Sequence, residues 1–168
     1  GILIAFFIAL IFLFYDQPEF WVKWLALGSA ASIIFTMGII DDIFHLNYKI
    51  RFLAQGIAAL IMILIGGIQL SELGTLISNY HVLELGLVAI PLTMFAAIGG
   101  INALNMIDGI DGLAGTLSWI TLLLIIILAL IGGDQANAIL AIALVGGVSG
   151  FLYFNLRYPT QNRARVFL

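Results

Sequence analysis

Leu122-Leu123-Leu124-Ile125-Ile126-Ile127, within the longer apolar run Leu117–Ile131, decides the fold of this chain of 168 residues. Strands of a membrane barrel alternate between lipid and lumen over about 10 residues. Six consecutive aliphatic side chains cannot alternate in that way. Backbone groups in hydrocarbon must be paired within a helix or a closed barrel, so the stretch predicts a membrane-spanning α-helix.

Five further runs of the same kind are present: Gly1–Tyr15, Phe20–Ile40, Ile50–Gly67, Leu85–Ile101 and Ala138–Phe154. At 1.5 Å per residue, about 20 residues cross a hydrocarbon core of about 30 Å. The expected fold is therefore all-α: a polytopic transmembrane helix bundle of about six spans, forming a single membrane domain over 1–168. Pro91 lies inside the fourth run and predicts a tolerated kink. The segment 68–84 is mildly amphipathic and reads equally as a short hairpin or a surface helix.

Composition agrees with a membrane protein. The chain is 63% hydrophobic and 9% charged, with a mean hydropathy of +1.20, whereas soluble domains carry about 25% charged residues. A secreted domain and a water-soluble enzyme are excluded. With Lys and Arg numbering six, no basic footprint for nucleic acid exists either. The absence of cysteine removes disulfides, thiolate metal sites and cysteine nucleophiles.

Six crossings would sort the connecting segments into two sides, with 41–49, 102–116 and 155–168 on one and 16–19, 68–84 and 132–137 on the other. Lys49, Arg51, Arg157, Arg163 and Arg165 fall in or beside the first set, and Lys23 alone near the second. The positive-inside rule then places the first set in the cytoplasm. Trp21, Trp24 and Tyr80 suit the opposite interface.

Four acids, Asp41, Asp42, Asp108 and Asp111, gather on the predicted cytoplasmic side. Like charges disfavour one another's ionised form, and a divalent cation is the simplest compensation. Hard oxygen donors suit Mg2+, or Mn2+, rather than zinc. Asp41-Asp42 closes an apolar run and is followed by Lys49 and Arg51; ordinary flanking charge at a solvated helix end would look the same. In Asn102-Ala-Leu-Asn105-Met-Ile-Asp108-Gly-Ile-Asp111-Gly112, polar residues recur every three positions. On a helix Asn102, Asn105 and Asp108 would share an arc of about 120°. Gly109, Gly112 and Gly115 would let the backbone turn and approach a ligand; two Asp-Gly pairs also suit a plain tight turn. Polar side chains at membrane depth are usually functional. Asn155–Arg165 is either a topology signal or a basic loop that attracts phosphates or anionic head groups. His45 and His81 show no ligand spacing and carry no assignment.

Gly38-Ile-Ile-Asp41-Asp42 followed by Lys49 and Gln55, together with Asn102 through Leu113, resembles the polyprenyl-phosphate N-acetylhexosamine-1-phosphate transferases (glycosyltransferase family 4 type). Within that family the resemblance is strongest to the undecaprenyl-phosphate N-acetylglucosaminyl-1-phosphate branch, and it covers essentially the whole chain. It implies transfer of a sugar 1-phosphate from a UDP-N-acetylhexosamine to undecaprenyl phosphate, with release of UMP, in the inner membrane. By that resemblance Asn105 is a Mg2+ ligand, Asp111 contacts the uracil end, and Asn102 lies in the substrate site. Asp108 supports the metal–diphosphate region, and Lys49 contacts phosphate. Asp41, with Asp42 beside it, is the base toward the lipid phosphate. Asp41 would orient that phosphate instead if it arrives already dianionic, as a monoester with a second pKa of about 6 mostly is at pH 7. Membrane lipids are implied as surroundings, a homodimer is compatible, and no nucleic-acid partner is expected.

The chain begins with Gly, has no basic segment before its first run, and ends at Val166-Phe167-Leu168. It reads as an internal fragment, cut before the Gly-Asp-x-Gly-Ser stretch that supplies a metal-binding Asp in the family. The family's upstream Gly-rich segment and later His-rich loop are missing as well. The fragment alone is expected to be inactive. Two other enzyme patterns fail: Asp111-Gly112-Leu113-Ala114-Gly115-Thr116 lacks the Asp-Gly-x-x-Ala-Arg of CDP-alcohol phosphotransferases, and Asp41-Asp42-Ile43-Phe44-His45 lacks the Asp-Asp-x-x-Asp of polyprenyl synthases. A cation transporter would place its acids nearer the bilayer midplane.

Overall fold

The computed structural model describes residues 2–14, 21–74, 82–107, 109 and 111–156, with side chains described from 2 to 11 in the first of these stretches. Six α-helices follow one another: α1 (Ile2–Phe14), α2 (Trp21–Phe44), α3 (Tyr48–Leu64), α4 (Ala89–Ile107), α5 (Leu113–Gly132) and α6 (Gln135–Asn155). Each apolar run became one helix. Among the described residues, however, four helices rather than six are long and apolar enough to cross a membrane: α2, α4 with its preceding turn, α5 and α6. The physical reason is length. The 13 residues of α1 reach about 20 Å and the 17 residues of α3 about 26 Å at the helical rise, and α3 also carries Lys49 and Arg51 in its first turn.

The chain divides into two compact units, one formed by Glu19–Ile101 and the other by Gly1–Pro18 with Asn102–Leu168. In the first, α2 and α3 pack as a hairpin. Small residues dominate its buried positions, with Ala26, Gly28 and Ala30 on α2 and Ala58 and Ala59 on α3. Without a hydrophobic drive between helices in lipid, such residues let backbones approach closely. Gly66, just past α3, marks one such close approach. A Cβ there would stand 3.1 Å from the Ala26 Cβ and 2.7 Å from the Met62 carbonyl oxygen.

The described parts of segment 68–84, residues 68–74 and 82–84, pair in antiparallel fashion. Glu72 and Glu84 form an antiparallel bridge, and the Leu73, Leu83 and Leu85 amides donate to Leu83, Gly74 and Ser71 carbonyls at 2.9 Å. A single 3-10 turn, Gly86–Val88, leads into α4. The Leu70 amide donates to Thr93 Oγ1 at 2.8 Å and ties the segment to α4. Pro91 falls in the first turn of α4, where a missing amide proton removes no helical hydrogen bond. The expected mid-helix kink is therefore not needed.

In the second unit α6 packs against both α5 and α1. Gly133, at φ 74°, ends α5, and Asp134 caps α6 by accepting from the Asn137 amide at 3.1 Å. Trp119 Nε1 donates to Ser149 Oγ at 2.9 Å between α5 and α6. Gly147 lies against Ile2 of α1, with a virtual Cβ 3.1 Å from its Cα. The aliphatic run that decided the fold lies on α5, where Leu124, Ile125, Ile127 and Leu128 are exposed, as a lipid-facing surface requires.

Candidate active site

The 24 residues of α2 span about 36 Å, longer than a hydrocarbon core of about 30 Å. Its last turn, with Asp41 and Asp42, therefore extends past the apolar segment. The chain then reverses through His45, Leu46 and Asn47. His45 takes φ 50°, the sole non-glycine left-handed residue among those described, and its amide donates to the Asp41 carbonyl at 2.7 Å. Asn47 caps α3, its Oδ1 accepting from the Lys49 amide at 3.0 Å.

Both carboxylate oxygens of Asp41 are engaged. Oδ1 accepts from the Leu46 amide at 2.9 Å, and Oδ2 accepts from Arg51 Nη1 at 3.0 Å. Asp42 and Lys49 are exposed and form no ion pair among the described residues. Gln55, one turn beyond Arg51, is buried.

These charges stand at the wrong helix ends. The macrodipole disfavours anions at a C-terminus and cations at an N-terminus by about 0.3–1 kcal/mol each. Here two acids occupy the last turn of α2 and two cations the first turn of α3. Local rules broken in this way are expected at functional or strained sites. The Asp41–Arg51 pair neutralises one charge of each sign, which leaves Asp42 and Lys49 to act outward.

In the other unit the 102–112 segment begins on the last turns of α4. Asn102 and Asn105 lie three residues apart on this helix, as the spacing predicts, with Asn102 partly buried and Asn105 exposed. Asp108 lies outside the described residues, as do Arg157, Arg163 and Arg165. Asp111 is half-buried. Gly112 takes φ 78° and precedes α5, and its amide donates to Oδ1 of Asn155, a buried residue at the end of α6, at 2.6 Å.

The glycines divide in role. A Cβ on Gly112 would collide with the Leu156 side chain, and one on Gly115 would stand 2.7 Å from Leu152 Cδ2. Both serve the contact with the end of α6. Gly109 has nothing within 4 Å and remains open.

Residues 24–168 match the family described as Glycosyl transferase family 4. The chain belongs to that family. A Bacillus subtilis (strain 168) protein named "Probable undecaprenyl-phosphate N-acetylglucosaminyl 1-phosphate transferase" is 38% identical over 131 residues, covering 77% of this chain and 36% of the relative. Two proteins named "Undecaprenyl-phosphate alpha-N-acetylglucosaminyl 1-phosphate transferase" are also similar. The one from Haemophilus influenzae is 38% identical over 136 residues (81% of this chain, 38% of the relative). That from Escherichia coli O157:H7 is 33% identical over 128 residues (76% and 35%). The chain thus spans a little over one third of the length of these relatives.

Membership of family 4 leaves the transporter and CDP-alcohol phosphotransferase readings without support. The predicted site residues divide between the units: Asp41, Asp42 and Lys49 in one, Asn102, Asn105 and Asp111 in the other. Among the described residues no three acidic or imidazole side chains gather to hold a metal ion. The donor chemistry of the 102–111 segment nonetheless suits Mg2+, since the Asn105 carboxamide and the acids offer hard oxygens alone. Two residues that received no site role from the sequence matter here. Arg51 was visible as a cation ten positions after Asp41, but nothing in that spacing said which acid it would meet. Asn155 read only as the first residue of the basic segment Asn155–Arg165, and nothing there pointed to Gly112.

Proposed function

We propose that the protein containing this chain moves a sugar 1-phosphate from a UDP-N-acetylhexosamine, with N-acetylglucosamine the sugar, to undecaprenyl phosphate. A lipid-phosphate oxygen attacks the phosphorus that bears the sugar. A new phosphoanhydride forms through that oxygen, the bond from the same phosphorus to the oxygen bridging it to the uridine-bearing phosphate breaks, and UMP leaves carrying the bridging oxygen. The names of the three relatives support this reading. The observation that carries it is the α2–α3 turn of a family 4 chain, where an exposed Lys49 stands at the foot of a membrane-length helix.

An attack of anion on anion is chiefly a problem of positioning and charge neutralisation. Lys49 meets the lipid phosphate at the membrane face, where the polyprenyl tail can stay in hydrocarbon. Asn102 and Asp111 bind the nucleotide sugar, and Asp108 supports its diphosphate. Asn105 would hold Mg2+, which supplies charge neutralisation on the diphosphate when bound. The reaction faces the cytoplasm across the inner membrane. With α3, whose 17 residues stand at the lower limit of a span, crossing as well, Lys49, Arg51, Arg157, Arg163 and Arg165 fall on one side, and their bias supports that placement.

The test is UMP release from UDP-N-acetylglucosamine by the full-length parent in detergent, with and without undecaprenyl phosphate and Mg2+. Release that requires both supports the reading; ion flux without release would replace it.

A further inference from the structure

The α2–α3 turn holds its shape against two local penalties. His45 occupies the left-handed region, which costs a non-glycine residue about 1–2 kcal/mol, and both helix ends carry charges their dipoles disfavour. Strain of this kind persists only where the surroundings over-determine the conformation. What over-determines it here is Asp41. Its backbone carbonyl accepts from the His45 amide, its Oδ1 from the Leu46 amide, and its Oδ2 from Arg51 on α3. One residue thus fixes both how α2 ends and how α3 starts.

Lys49 sits inside this frame. Its amide is held by the Asn47 cap, two residues from Arg51, so the direction of its side chain follows from the turn that Asp41 and Arg51 define. By neutralising Arg51, Asp41 also leaves Lys49 as the cation of α3's first turn without an ion pair among the described residues. We propose that Asp41 and Arg51 are a positioning pair that sets Lys49 for the lipid phosphate, with Asp41 acting through Lys49 instead of taking a proton from the substrate. This rests on the proposed transferase reading. Two features make it self-consistent: the oxygens a base would need are already accepting hydrogen bonds, and a phosphate monoester at pH 7 is mostly dianionic before any base acts.

The experiment uses the full-length parent and measures kcat and KM for undecaprenyl phosphate by UMP release, for Asp41→Asn, Arg51→Gln and the double variant. Residues in contact couple strongly, so a positioning pair predicts that each single change lowers kcat/KM about tenfold, mainly through KM. The double variant, which restores a neutral pair, should be no worse than either single one. A base instead predicts a kcat loss of about 100-fold or more for Asp41→Asn with KM unchanged. It also predicts near wild-type turnover for Arg51→Gln; either result overturns the pair. Asp41→Asn keeps an oxygen for the Leu46 amide, so if Arg51→Gln fails to fold, the kcat-against-KM split of Asp41→Asn alone decides. A wild-type parent without UMP release sinks the transferase reading itself. A parent that turns over but is indifferent to Arg51→Gln sinks the pair alone.

Discussion

The backbone N–H of Gly112 donates to Oδ1 of Asn155 at 2.6 Å, across 43 residues of sequence. This bond closes the start of α5 onto the end of α6 and holds the residue next to Asp111. Removing the acceptor leaves a buried amide unpaired, at about 1–3 kcal/mol. Asn155→Ala is therefore expected to lower the thermal midpoint of the detergent-solubilised parent, followed by far-UV circular dichroism. An unchanged midpoint would mean that water replaces Asn155 without loss.

Gly112→Ala is expected to cost more than Gly109→Ala. The first change forces a Cβ into the left-handed region and into Leu156, whereas the second meets nothing within 4 Å. The left-handed term alone is about 1 kcal/mol or more. Paired denaturation midpoints check the order, and equal midpoints would contradict the close contact with α6.

His45→Gly should leave stability unchanged or raise it by about 1 kcal/mol, because glycine adopts φ 50° without strain and the imidazole is exposed. His45→Val should destabilise, since a β-branched residue tolerates that region worst. A large loss on His45→Gly would show that the imidazole itself holds the turn.

Much of this was legible in the sequence, for a physical reason. Lipid forces unbroken apolar runs into helices, so Leu117–Ile131 became the centre of α5 and Phe20–Ile40 the body of α2. Apolarity marks where a helix meets lipid and not where it stops. Hence α2 continues through Asp41–Phe44 and α4 through Asn102–Ile107, carrying polar site residues on helical turns. Among the described residues four helices rather than about six reach membrane length, because α1 and α3 are helical but short there. The Asp41–Arg51 pair was not legible. It depends on a left-handed His45, a conformation that the sequence reserves for no non-glycine residue.

Lys49→Gln should raise KM for undecaprenyl phosphate while leaving the KM for the UDP-sugar near its wild-type value. Asn105→Ala should instead raise the Mg2+ concentration needed for half-maximal turnover. Steady-state UMP release with each component varied separately distinguishes the two. An exchange of these phenotypes would reverse the assignments.

UMP release by the full-length parent, supplied with UDP-N-acetylglucosamine, undecaprenyl phosphate and Mg2+, tests the central claim most directly. The account predicts stoichiometric UMP and lipid-linked diphosphate sugar, with neither product formed when the lipid phosphate or Mg2+ is withheld. UMP formed without lipid phosphate, or no UMP from a folded parent under any of these conditions, would contradict it.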